Sequence, residues 1–248
     1  MRKLSLLVGT AVIVLLCGFA AAAQSAKDRG RHDAFKCNGT LTGAFHDVVV
    51  PPNGVCVLTN STVRENVEVR KNAYFQADNT KIRDDVRGDH AQTVFINTGS
   101  SVGGGVETRG GAQLFVYNAT VKHDIRATNL TNKVEICGTT VSRGGVDIER
   151  LHGGGNEILI GDPLTVGCPR NTVSRESVKV EMNFTDVYFV IRGNTISHGN
   201  LLVTDNTGTS DKFVQTNNRG KTLNCTGNTA PFVGGPNGTW TRKRGQCF

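Results

Sequence analysis

Much of what builds helices and familiar active sites is scarce in this chain. Aromatic residues make up 6% of its 248 positions, and there is one tryptophan, with two methionines and six prolines. Past residue 23 no apolar run is long enough to span a bilayer, and nowhere do apolar residues recur at the helical spacing of three and four. No two cysteines or histidines have the spacing of a zinc-ligand pair, which excludes a finger or ribbon. No basic stripe carries interleaved aromatics; Arg242-Lys243-Arg244 is too short to argue for nucleic acid. The glycine runs 103–105 and 153–155 precede no helix start, so they are not phosphate loops. A flat threonine array, as ice binding would need, is broken at Ser101 and by charged flanks.

What remains is repetition. From Asn60 to Ile148 nearly the same unit recurs five times: Asn60-Ser-Thr-Val63, Asn79-Thr-Lys-Ile82, Gly99-Ser-Ser-Val102, Asn118-Ala-Thr-Val121 and Gly138-Thr-Thr-Val141. The first apolar residues stand at 63, 82, 102, 121 and 141, so the period alternates between 19 and 20. A repeat of that size cannot bury its apolar side alone and must stack on its neighbours as a solenoid. Each unit holds two or three short runs alternating with period two, such as Val67-Glu-Val69 and Tyr74-Phe-Gln-Ala77, which are strands. The expected fold is all-β: a parallel β-helix of 19–20 residues per coil and eight or nine coils over residues 37–248.

Stacking the coils in register aligns Glu68, Arg87, Glu107, Arg126, Asp147 and Lys179, whose charges alternate without exception. Such a column fixes register through opposite-charge neighbours. A second column, Asn66, Asp85, Gly105, Asp124, Gly145, Ser177 and Asn200, suits a left-handed corner and hydrogen bonds between coils.

Residues 1–23 read as a secretory signal peptide, with Arg2 and Lys3 ahead of an apolar stretch and Ala21-Ala22-Ala23 at the cleavage site. Cleavage would leave no membrane segment. It removes Arg2 and Lys3, lowering the formal charge from +7 to +5. Residues 24–36 are polar and expected to be flexible. Secretion makes disulfides the default for the six cysteines beyond Cys17. Cys37 and Cys56 are 19 apart and Cys225 and Cys247 are 22 apart, each about one coil; Cys137 and Cys168 bracket a coil lengthened by the insertion at 149–170. Residues one coil apart stack at about 4.8 Å, within disulfide reach, so these three pairs are expected.

The units of the type Asn60-x-Thr-Val63-x-x-Asn66-Val67-x-Val69, and the ending Asn224-Cys-Thr-Gly-Asn228…Gly245-Gln-Cys247, resemble secreted right-handed parallel β-helix proteins, especially an uncharacterised secreted family of actinobacteria. The resemblance covers roughly 37–248 and implies fold more than activity. A left-handed hexapeptide helix needs multiples of six, so 19–20 also favours the right hand. Some right-handed β-helices degrade pectin, which makes an atypical polysaccharide lyase or glycoside hydrolase the alternative function. Its candidate residues are Asp84, Asp85 and Asp89, which could also hold a calcium ion. Pairing Asp84-Asp85 with His198-Gly199 fails, since five coils separate them by on the order of 24 Å, against the 5–10 Å that paired carboxylates need. The favoured expectation is a non-catalytic extracellular protein without a cofactor, which binds polysaccharide or a cell-surface protein. The outward pair Phe95 and Phe115, the loop residue His152 and the lone Trp240 are the candidate contacts.

Overall fold

The computed structural model describes residues 34–162, 168–229 and 231–247; the expected signal peptide, and part of the insertion at 163–167, lie outside them. The described chain is all-β and stacks into a parallel solenoid of about 10 turns. Each full coil contributes three strands, because each unit has three short alternating runs separated by corner residues. The strands form three faces. A short face stacks two-residue strands from Ala44–Phe45 through Thr62–Val63 and Lys81–Ile82 to Thr195–Ile196. A charged face carries the Val67–Val69 row, and an aromatic face the Tyr74–Asp78 row. At Val106–Tyr117 and Ile125–Cys137 one continuous strand serves both latter faces, so they count as a single sheet.

The register agrees with the columns read from sequence. Glu68 faces Arg87, Arg87 faces Glu107, Glu107 faces Arg126, Arg126 faces Asp147, and Asp147 faces Lys179. Between these outward residues, Val67, Val69, Val86, Val106 and Ile125 point inward and are fully buried. Stacked valines and isoleucines fill the coil because a β-branched side chain packs closely against the copy one coil away. The core is one continuous cluster from Cys37 to Cys247.

The solenoid begins slightly earlier than expected and runs through the C-terminal segment as expected. Phe35–Lys36 pairs with Val48–Val50, two residues ahead of the expected boundary. At the other end Thr222–Thr226 and Arg242–Gly245 continue the charged face, so the C-terminal segment is built of coils too. Beyond the insertion the coils widen. Asn171, Asn194, Asn217 and Asn237 stand 23, 23 and 20 residues apart, and their side chains form a ladder inside one corner. Asn183, Asn206, Asn228 and Gln246 form a second ladder inside another. Asn171, Asn194 and Asn217 are at most 2% exposed. Their amides also donate to the backbone carbonyls of Ile136, Ile160 and Ile191, so none is buried without partners.

The three cysteine pairs stand at disulfide distance as spacing predicted, with Cα–Cα separations of 5.5, 4.7 and 5.5 Å. Cys37–Cys56 and Cys225–Cys247 lie in the core at the two ends. Cys137–Cys168 lies outside it, in a second cluster with Leu159 and Val190 on the aromatic face.

Two readings need correction. Asn66, Asp85 and Asp124 do not take the left-handed conformation; it occurs at the other two corners, at Asn60, Asn79 and Asn118 and at Asn53, Asn72 and Asn129. The Asn66 column instead works through side chains: Asp47, Asn66, Asp85 and Asp124 each accept a hydrogen bond from a backbone amide of the next coil. Glycine at 103 answers close stacking, since a Cβ there would sit 2.0 Å from the Arg83 carbonyl oxygen. The charge column also acts differently than expected. Its neighbours alternate in sign, but its short ion pairs run along the strand, from Arg70 to Glu68, Arg87 to Asp85, Arg109 to Glu107 and Arg126 to Asp124.

Candidate functional site

The outward column of the aromatic face runs Val57, Gln76, Phe95, Phe115, Glu135, Leu159, Val190, Phe213 and Val233, strand by strand in register. Its cover is uneven along its length, with Phe213 half-buried and Val233 37% exposed beyond Val190. Leu159 and Val190 are 6% and 1% exposed, packed with the Cys137–Cys168 pair. Phe95 and Phe115 are only half-buried. Period-two alternation puts them outside the coil, and among the described residues no disulfide-bonded cysteine clusters with them as Cys137 and Cys168 do with Leu159.

Phe95 and Phe115 come together with a ring that sequence reasoning passed over, Tyr117. The centroid separations are 5.5 Å for Phe95–Phe115, 5.3 Å for Phe95–Tyr117 and 6.0 Å for Phe115–Tyr117, the last two edge-on. Tyr117 was legible as the next outward position after Phe115. Beside the rings lies a chain of planar polar groups: the Tyr74 hydroxyl donates to Gln76 at 2.6 Å, the Gln76 amide to Asp78 at 2.7 Å, and the Asn97 amide to Asp78 at 2.6 Å. On the other side Glu135 sits in register between Phe115 and Leu159, with the Lys133 ammonium against both Glu135 and Glu157. Burial, and then the charge of Glu157, pushes the Glu135 carboxyl up to about 7 despite that contact. The result is an apolar, ring-lined patch edged by hydrogen-bonding groups.

The other expected site residues stay apart. Trp240 is 8% exposed and belongs to the core, its indole N–H donating to the Asn217 carbonyl. His152 is exposed on its loop, its ring against the Arg150 carbonyl. Asp84 is exposed at a corner. Asp85 is used up by the Gly105 amide and Arg87. Asp89 lies at the far end of the strand Val86–Asp89, against His90. At about 3.3 Å per residue, Asp85 and Asp89 are roughly 13 Å apart along the chain, too far to share one cation or one scissile bond.

A different titratable group does assemble. His46, Asp47 and Glu65 bring one donor atom each to within 4.8 Å of one another. The His46 Nδ1 lies 3.4 Å from Asp47 Oδ2 and 3.4 Å from Glu65 Oε1. Burial would raise Asp47, but the Asn66 amide and the contacts from Glu65 and His46 hold it below the usual range. Glu65, hydrogen-bonded to Asp47, is raised. Asp47 also lines a groove of about 580 Å³ on the charged face, together with Val49, Glu68, Arg87, Glu107 and Arg109.

No family model, no curated protein and no solved structure matches the chain.

Proposed function

We propose that the protein is an extracellular, non-catalytic solenoid that binds a neutral polysaccharide on the Phe95–Phe115–Tyr117 patch. The observation that carries this reading is the uneven cover of one column: Leu159 and Val190 are sealed, while Phe95 and Phe115 stay half-buried beside Tyr117, which packs against the sealed cluster. Aromatic faces stack on the C–H side of sugar rings, and planar amides and carboxylates beside them take the hydroxyls. Tyr74, Gln76, Asp78 and Asn97 supply that second component. Asp78 brings negative charge to the patch and so disfavours acidic polymers, although the chain as a whole is basic. Three cysteine pairs at disulfide distance fit an oxidising compartment, and secretion is part of this proposal.

The test is sedimentation of the protein with insoluble neutral and acidic cell-wall polysaccharides, with assay of the supernatant for new reducing or unsaturated ends. Retention on neutral polymer without product is the expected result. Phe95→Ala/Phe115→Ala should weaken it about tenfold, since an aromatic contact contributes about 0.5–1.5 kcal/mol. Product that disappears in Asp84→Ala/Asp85→Ala would establish the lyase or hydrolase alternative instead.

A further inference from the structure

Asp47 begins the corner column of side chains that accept an amide from the next coil, and it is the carboxylate of that column placed differently from the rest. At Asp85 and Asp124 one carboxylate oxygen takes the amide, and the other takes an arginine two residues on, Arg87 at 2.7 Å and Arg126 at 2.8 Å. Asp47 has the amide, from Asn66 at 3.0 Å, but two residues on stands Val49, which lines the groove. Its second oxygen is aimed instead at His46, and Glu65 arrives from the next coil at the same imidazole nitrogen. A position the fold elsewhere balances with a guanidinium is here surrounded by a nitrogen and two carboxylates.

The spacing fits an ion better than it fits hydrogen bonds. Both nitrogen–oxygen separations are 3.4 Å, longer than the 2.7–3.2 Å of a good N–H···O bond. Ligands bound at about 2.0–2.1 Å in a tetrahedron lie about 3.3–3.4 Å apart. The Asn66 amide fixes one oxygen of Asp47 and so orients the other, the part a supporting group plays around a metal. Asp84 follows Glu65 in the same stack, its amide donating to the Glu65 carbonyl, which adds a carboxylate within one coil. Asp47 also lines the neighbouring groove, whose lining includes neither His46 nor Glu65; His46 and Glu65 are themselves partly exposed, which leaves the cluster reachable from solvent.

We propose that His46, Asp47 and Glu65 form a binding site for a divalent transition cation of the zinc type, at the corner beside the charged face. Imidazole with carboxylates selects zinc-like ions over calcium, which takes six to eight oxygens.

The experiment uses the whole folded protein, stripped with chelator and then dialysed against zinc, with bound metal counted per chain and the melting temperature recorded with zinc and with calcium. One zinc per chain and a higher melting temperature with zinc alone are expected. His46→Gln and Glu65→Gln should each lower zinc affinity at least tenfold, and Asp124→Asn, in the same column but paired to Arg126, should leave it unchanged. Glu65 is a partly exposed corner residue, so its variant keeps the test valid if His46→Gln fails to fold. No zinc retained by the wild type, equal retention by the folded variants, or equal stabilisation by calcium would overturn the assignment.

Discussion

Glu135 is the outward residue least matched to its neighbours. It stands between Phe115 and Leu159 with its side chain 12% exposed, and burial raises its carboxyl to about 7. A carboxyl with a folded pKa above its unfolded value of about 4.5 holds a proton that the unfolded chain has released, so stability falls as pH rises through that interval. Glu135→Gln should therefore match the wild type near pH 4 and gain on it between pH 4.5 and about 7. The gain should level off above that at about 1–2 kcal/mol, discounted from the full shift because Lys133 already offsets part of the charge. Thermal melts of both proteins across pH 4–8 measure it; a constant difference would contradict the burial of this group. Glu135 was visible in the sequence as one outward residue among five, but its titration was not, because that depends on Glu157 arriving from the next coil. The same limit hid His46, Asp47 and Glu65: donors one coil apart have no fixed short spacing in a repeat whose length varies. Trp240 misled for a related reason. A lone tryptophan near a terminus reads as exposed, yet it packs over Gly220, whose missing Cβ makes room for the ring.

The elements owe their order to two kinds of ladder with different energetic weight. The charge column on the charged face is largely solvent-exposed, Glu107 and Asp147 being half-buried, and each of its exposed pairs contributes roughly 0.2–1 kcal/mol. The asparagine ladders are buried. Removing one rung leaves the carbonyl and amide partners of its neighbours unsatisfied, at about 1–3 kcal/mol. Asn194→Ala should then lower stability by about 2–3 kcal/mol and Arg126→Ala by less than 1 kcal/mol, as read from denaturant midpoints at constant slope. Equal losses would mean that the inner ladder adds nothing beyond packing. The outer column was the legible one, because alternating signs stand out in sequence. The inner ladder shares its asparagines with turns, and its period of 23 differs from the 19–20 of the first five units, so only depth in the structure separates a rung from a corner.

At the scale of the molecule, a solenoid is close to one-dimensional: each coil contacts its two neighbours, and stability is the sum of coil and interface terms. Its ends are the weak points. Here both are closed from within, by Cys37–Cys56 and Cys225–Cys247. The last described strand, Arg242–Gly245, presents two arginines and a lysine at an edge with no partner strand among the described residues, a deterrent to strand addition by another chain. Replacing Cys225 and Cys247 by alanine should raise hydrogen exchange over residues 222–247 and leave 63–148 protected; uniform deprotection would show that the coils unfold as one unit. Fold, register and cysteine pairing were readable at this scale because repetition supplies many copies of one signal. Function was not, because the rings proposed to carry it sit inside the regular repeat, where spacing does not set them apart from structural positions.

The central claim is that the half-buried ring patch of the aromatic column is a polysaccharide-binding surface. Hydrogen–deuterium exchange of the folded protein with and without a soluble neutral oligosaccharide tests it most directly. Protection confined to residues 74–78, 93–97 and 113–117, and lost in Phe95→Ala/Phe115→Ala, is the predicted result. Protection at the 152–156 loop or the 242–245 edge, or none anywhere, would contradict it.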